Sequence, residues 1–168
     1  THEAGAYRMG PPDAETTTLG PMASFEQRDI VARIVAEAVA AGAHVVTGGK
    51  PPSDGAIANG AFFPPTIVTG VTNRDPICQN EIFGPVAAVL PFDGEADLLD
   101  QANDTVFGLA AGVWTSDYRR AWRVSRALRA GTVWINTYKE TSIAAPFGGF
   151  KQSGLGREKG IAGMRSYM

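Results

Sequence analysis

The strongest constraint in this sequence is an alternation. β-branched or apolar runs at His44 to Thr47, Thr66 to Val71, Val86 to Phe92, Leu109 to Thr115 and Thr132 to Ile135 alternate with longer segments of helical period. Antiparallel strands can be joined by a tight turn, but parallel neighbours need a long crossover, which a helix supplies. The pattern predicts an α/β fold, with a mostly parallel sheet flanked by helices. A length of 168 residues suits one globular unit with its own core.

The helices carry their own punctuation. Ser24 can cap a helix start while Gln27, three positions on, reaches back to the Ser24 N–H as a capping box. Ile30, Val31, Ile34, Val35, Ala38 and Val39 then form one apolar stripe, and Gly42 suits a left-handed C-terminal cap. Ala96, Leu98, Leu99 and Ala102 suggest a second helix. Ser116 or Asp117 caps a third, running through Arg129 and stopped by Gly131. Residues 1–23 are loop-rich and 136–156 have loop chemistry, before a closing helix from Arg157 to Tyr167.

Composition removes several functions. Hydrophobic residues at 44% and charged ones at 19% exclude the signature of disorder. A net charge of -2, read as spread along the chain, argues against nucleic-acid binding. The most apolar stretch, Ile30 to Val46, is interrupted by Arg33, Glu37, Gly42 and His44 and cannot span a membrane. The single Cys78 excludes an intramolecular disulfide and favours a reducing cytoplasm. The opening at Thr1 without an initiator Met reads as a piece of a longer polypeptide.

Chemistry read directly from the residues is sparse. His2 and His44 stand in no metal-ligand spacing, so no metal site is expected. Gly154, Gly156 and Gly160 imitate a dinucleotide fingerprint, but the third glycine falls one place late and no strand leads into it; tight turns explain them better. Cys78 has no nearby His to stabilise a thiolate and reads as an inert, partly buried thiol.

Four segments, in order, resemble the aldehyde dehydrogenase family: Glu81 to Val86 (EIFGPV), Asn103 to Thr115 (NDTVFGLAAGVWT), Gly131 to Asn136 (GTVWIN) and Pro146 to Glu158 (PFGGFKQSGLGRE). Leu19-Gly20-Pro21 and Thr47-Gly48-Gly49 fit as well, with Asn80 and Phe107 as minor departures from the family pattern. The resemblance implies that residues 1–168 are a partial catalytic domain, about the last third of the enzyme, with 137–156 as the substrate-pocket and signature loop. It implies an enzyme that oxidises an aldehyde to a carboxylic acid with NAD or NADP, and a homo-oligomer when full-length.

Residue by residue, the resemblance matches Glu81 to the acceptor of the nicotinamide-ribose hydroxyls and Phe83 to the aromatic beside that ribose, with a plain core role as the alternative for Phe83. Phe147 matches an aromatic of the aldehyde pocket, and Lys139, Glu140 and Thr141 fall on the wall that distinguishes substrates. Asn136 matches the base of that loop, where its amide fastens the turn. Glu158 matches a carboxylate of a proton relay and Arg157 a former of structural ion pairs, with exposed ion pairing as the alternative for both. The family's nucleophilic cysteine, general-base glutamate and oxyanion-hole asparagine fall upstream of Thr1, so the chain alone is expected to be inactive. A competing reading is a non-catalytic truncated homologue that serves as an assembly module. An independent flavodoxin-like nucleotide binder ranks last, for want of a phosphate-cradling loop.

Overall fold

The computed structural model describes residues 2–168, and the chain divides into two compact units, Thr1–Pro91 and Phe92–Met168. Each unit closes its own strand pairing. No helix among the described residues is long and apolar enough to cross a membrane.

In the first unit, the loop-rich lead holds the short α1 (His2–Gly5) and an isolated bridge between Met9 and Leu19. Helix α2 (Phe25–Ala40) starts where expected, with the Ser24 hydroxyl accepting from the Gln27 N–H at 3.0 Å. The reciprocal half of the capping box is not made. Gln27 turns its side-chain amide to the carbonyls of Ile82, at 2.9 Å, and Phe83, at 3.3 Å. At the other end Gly42, at φ +107°, lets its N–H reach Val39 and the Ala43 N–H reach Ala38, which is the Schellman closure.

Strands β1 (His44–Thr47) and β2 (Thr66–Thr69), helix α3 (Pro76–Gln79) and strand β3 (Val86–Ala88) complete this unit. β2 pairs antiparallel with β1 and parallel with β3. β2 stops two residues early because Gly70 turns the chain at φ +71°. β3 stops well before Phe92, where its partner β2 has already turned away at Gly70. The stripe on α2 divides between two clusters: Val31 and Val35 bury against Phe63, while Ile34 and Ala38 pack on Ala43, Val68, Val71 and Ile77. Thr66, 1% exposed, accepts from the Gly49 N–H and donates to the Pro64 carbonyl, so its buried hydroxyl is fully used.

The second unit holds α4 (Gly94–Asn103), β4 (Phe107–Gly108), β5 (Ala110–Val113), α5 (Tyr118–Ala127), β6 (Thr132–Ile135), β7 (Phe150–Lys151) and α6 (Gly160–Arg165). β5 and β6 pair in parallel over four residues, and β4 and β7 antiparallel over two. The fold is α/β as expected, with parallel and antiparallel pairs side by side in the strand inventory.

Asp117 caps α5 by accepting the N–H groups of Arg119 and Arg120. Those bonds, with that from Arg120 strongest, hold its carboxyl below the ordinary range. α5 ends at Ala127 rather than Arg129, since the Asn103 side chain takes over both ends of the break: it accepts from the Arg129 N–H at 2.7 Å and donates to the Ala127 carbonyl at 3.0 Å. Gly131 therefore does not stop the helix. It lies against the Gly148 carbonyl, in space that a Cβ would occupy.

α5 also gathers Arg119, Arg120, Arg123 and Arg126, a concentration the near-neutral net charge conceals and a correction to the even spread read from the sequence. Glu95 on α4 takes two of them, with Arg123 as a fork at 2.6 Å through Nη2 and Arg120 at 3.8 Å. The Arg123 hydrogen bond holds the Glu95 carboxyl below its usual range. α6 is shorter than the expected span from Arg157 to Tyr167, because Glu158 commits its backbone to Phe147 and both Lys159 and Gly160 adopt positive φ.

Candidate cofactor and substrate site

In the first unit the turn from Glu81 to Pro85 is held against α2. Beyond the two bonds from Gln27, Gly84 fits so closely on Val31 that a Cβ there would meet its side chain at 2.6 Å. Pro85 accepts from the Thr66 N–H at 2.8 Å and Gly84 from the Val86 N–H at 2.8 Å. Phe83 sits inside this turn at φ +51°, a left-handed conformation that costs a bulky residue on the order of 1–3 kcal/mol and survives only where its surroundings impose it. Phe83 is 71% exposed within this chain, and Glu81 is exposed beside it.

Cys78, on α3 just before this turn, is half-buried against the Ala43, Val68, Val71 and Ile77 cluster. Burial, and secondarily the charge of Asp75, push its thiol up, away from a reactive thiolate.

In the second unit, two of the segments singled out in the sequence are partners. The Asn103 to Gly108 stretch pairs with Phe150 to Ser153: β4 lies on β7, the Ser153 hydroxyl accepts from the Gly108 N–H at 3.0 Å, and Lys151 Nζ donates to the carbonyls of Asn103 and Thr105. Gly149 abuts Ser153 and Gly148 abuts Arg157, so neither tolerates a side chain. Arg157 donates to the Gly149 and Gly156 carbonyls at 2.8 Å and lies over the Phe150 ring.

Phe147 and Glu158 are joined backbone to backbone at 2.8 and 2.7 Å. Lys159 links Thr141 to this pair, donating to the Thr141 hydroxyl at 3.0 Å with its ammonium 5.8 Å from the Phe147 ring centre. Lys139 stands apart, at φ +62° with its ammonium over Tyr138. The loop carrying these residues is fastened at its base. Trp134 donates to the Glu140 carbonyl at 2.6 Å and meets Tyr138 edge-on, while Asn136 exchanges two bonds with Thr115. Glu158 lines a cleft of about 770 Å3 with Ile143 and Met164.

Sequence reasoning missed Gln27, Lys151 and Lys159. Lys151 and Lys159 lie in or beside the matched signature, but their partners are tens of residues away for one and in an irregular loop for the other. For Gln27 the capping-box pattern was itself the misleading signal.

An α/β segment that gathers these motifs into two local clusters defines the class, and comparison with known proteins gives the family. The model of the aldehyde dehydrogenase family matches residues 1–168. The chain belongs to that family. It is 48% identical over 160 residues to a betaine aldehyde dehydrogenase of Mesorhizobium japonicum and 47% identical over 160 residues to that of Brucella anthropi, covering 95% of this chain and 33% of each relative. Among solved structures it resembles betaine aldehyde dehydrogenase of Staphylococcus aureus in complex with NAD+, at TM-score 0.94 and 38% identity, over 99% of this chain and 33% of that one. A Mycobacterium tuberculosis aldehyde dehydrogenase complexed with NAD+ matches at TM-score 0.93 and 40% identity, over 99% and 34%. The chain spans about a third of the length of the relatives it matches.

Proposed function

We propose that this chain serves as the C-terminal part of an NAD-dependent aldehyde dehydrogenase that oxidises an aldehyde to a carboxylic acid, contributing cofactor and substrate contacts without the nucleophile. The observation that carries the reading is the turn at Glu81 to Phe83, where a strained, exposed aromatic stands beside an exposed carboxylate. Those two groups fit the nicotinamide-ribose half of the cofactor. The Glu81 carboxylate can accept from both ribose hydroxyls, and the Phe83 face can limit the motion of the ring system. The bound nicotinamide would supply hydride acceptance. NAD is favoured over NADP because the similar enzymes of S. aureus and M. tuberculosis are complexed with NAD+.

Phe147, Thr141 and Lys139 contribute the wall that meets the aldehyde, and Glu158 relays a proton from its place on the cleft. Lys159 holds Thr141 and Phe147 on one side of that wall. The chain alone completes no turnover, because covalent catalysis needs a nucleophile and an oriented base together. The Cys78 thiol, pushed up by burial, does not supply one. A cytoplasmic setting and a homo-oligomeric full-length enzyme belong to the same reading.

Titration of the isotopically labelled chain with nicotinamide mononucleotide tests the ribose contact. Shifts at Glu81 and Phe83 are expected. Shifts confined to other residues, or self-association of the chain with no ligand response at all, would favour the truncated assembly module instead.

A further inference from the structure

We propose that Gln27 is a positioning residue for the Glu81–Phe83 turn, holding Phe83 in its left-handed conformation so that the ring stays presented; the purpose of that presentation rests on the ribose-clamp reading above. The Gln27 side chain has left its expected helix-capping role, and its amide donates to two successive carbonyls, Ile82 at 2.9 Å and Phe83 at 3.3 Å. Successive carbonyls can converge on one donor only when the backbone between them curls, and Phe83 at φ +51° is the residue that curls. A bulky side chain prefers extended or right-handed backbone, so without a restraint the turn would open.

The rest of the turn is held from its other side. Gly84 packs on Val31, and the Gly84 and Pro85 carbonyls accept from Val86 and Thr66. Gln27 therefore restrains the half of the turn that carries Phe83, and because Gly84 and Pro85 follow Phe83 directly, the bonds from Val86 and Thr66 depend on the curl that Gln27 holds. It is anchored in the first turn of α2, whose Ser24 cap is made through the Gln27 backbone N–H and does not involve its side chain. Changing the side chain consequently separates the clamp from the cap.

Amide hydrogen exchange on the full chain tests this, read at Thr66 and Val86, which report opening of the turn, with Val31 and Val35 in α2 as internal controls. Gln27→Glu keeps size and removes both donors. It is expected to speed exchange at Thr66 and Val86 roughly tenfold or more, as loss of two hydrogen bonds implies, with Val31 and Val35 unchanged. Gln27→Lys, which keeps a donor on a flexible stem, should stay closer to the wild type. Unchanged exchange at Thr66 and Val86 in Gln27→Glu would overturn the proposal, and so would equal acceleration at Val31 in both variants, which marks a helix defect. Nicotinamide mononucleotide added to the wild type keeps the two readings distinct. If the turn opens as expected but the ligand leaves Glu81 and Phe83 unmoved, the ribose clamp fails while the positioning role stands.

Discussion

The two units solve the same problem with different materials. Thr1–Pro91 buries nine of the core apolar side chains, among them Phe63, Val31, Val35 and Val68, and its polar bonds decorate that core. Phe92–Met168 buries only Ala121, Val124 and Trp134 of that set and is held by side chains reaching across loops: Asn103 across the end of α5, Lys151 to the end of α4, Asn136 to Thr115, Glu95 to Arg123. Apolar burial is non-directional and tolerates adjustment, whereas directed hydrogen bonds fix loops at defined places. The second unit, which carries the long signature loop, needs the latter.

Mutation of each material should sharpen the contrast. Phe63→Ala removes the largest fully buried side chain of the first unit and should cost about 3–5 kcal/mol there, read by urea titration with backbone resonances of β2. All three tryptophans, Trp114, Trp122 and Trp134, lie in the second unit, so tryptophan fluorescence reports that unit alone. Its midpoint should move less in Phe63→Ala, and an equal shift would break the distinction.

Asn103→Ala removes two exposed hydrogen bonds at once, to the Arg129 N–H and the Ala127 carbonyl, and should cost about 1–3 kcal/mol in the fluorescence midpoint. Trp134→Phe removes the donor to Glu140 and part of a buried ring, and should cost about 1–2 kcal/mol, with faster proteolysis within 137–145 as its signature. Acid gives the smallest effect. Hydrogen bonds hold the carboxyls of Glu95, Asp97 and Asp117 below their ordinary values, so each is more readily ionised folded than unfolded. Their contribution is complete above the ordinary carboxylate range and is lost as pH falls through the lowered values. The fluorescence midpoint should fall between neutral pH and the acid range, and Arg123→Gln should flatten that fall. A flat profile in the wild type would remove these groups from the account.

What could be read in advance was local. The α2 stripe, Gly42, Asp117 and the β6 run state their roles within a few residues, because caps and periods are short-range physics. β4 and β7 could not be read, since two residues have no period and their pairing spans the chain from Phe107 to Lys151. Gly131 could be read as special but not for the right reason, since its neighbour Gly148 is distant in sequence. Of the candidate site, the residue types came from the family motifs. Their supports, Gln27 for Phe83 and Lys159 for Thr141, are contacts between distant residues that no local pattern encodes.

The central proposal is that this chain contributes contacts to an aldehyde oxidation without supplying its nucleophile. Formation of NADH or NADPH by the purified chain, with a panel of aliphatic and aromatic aldehydes and Cys78→Ala measured beside it, tests this directly. The account predicts folded protein and no turnover. Turnover that Cys78→Ala abolishes would contradict it, making Cys78 the nucleophile and this short chain an enzyme in its own right.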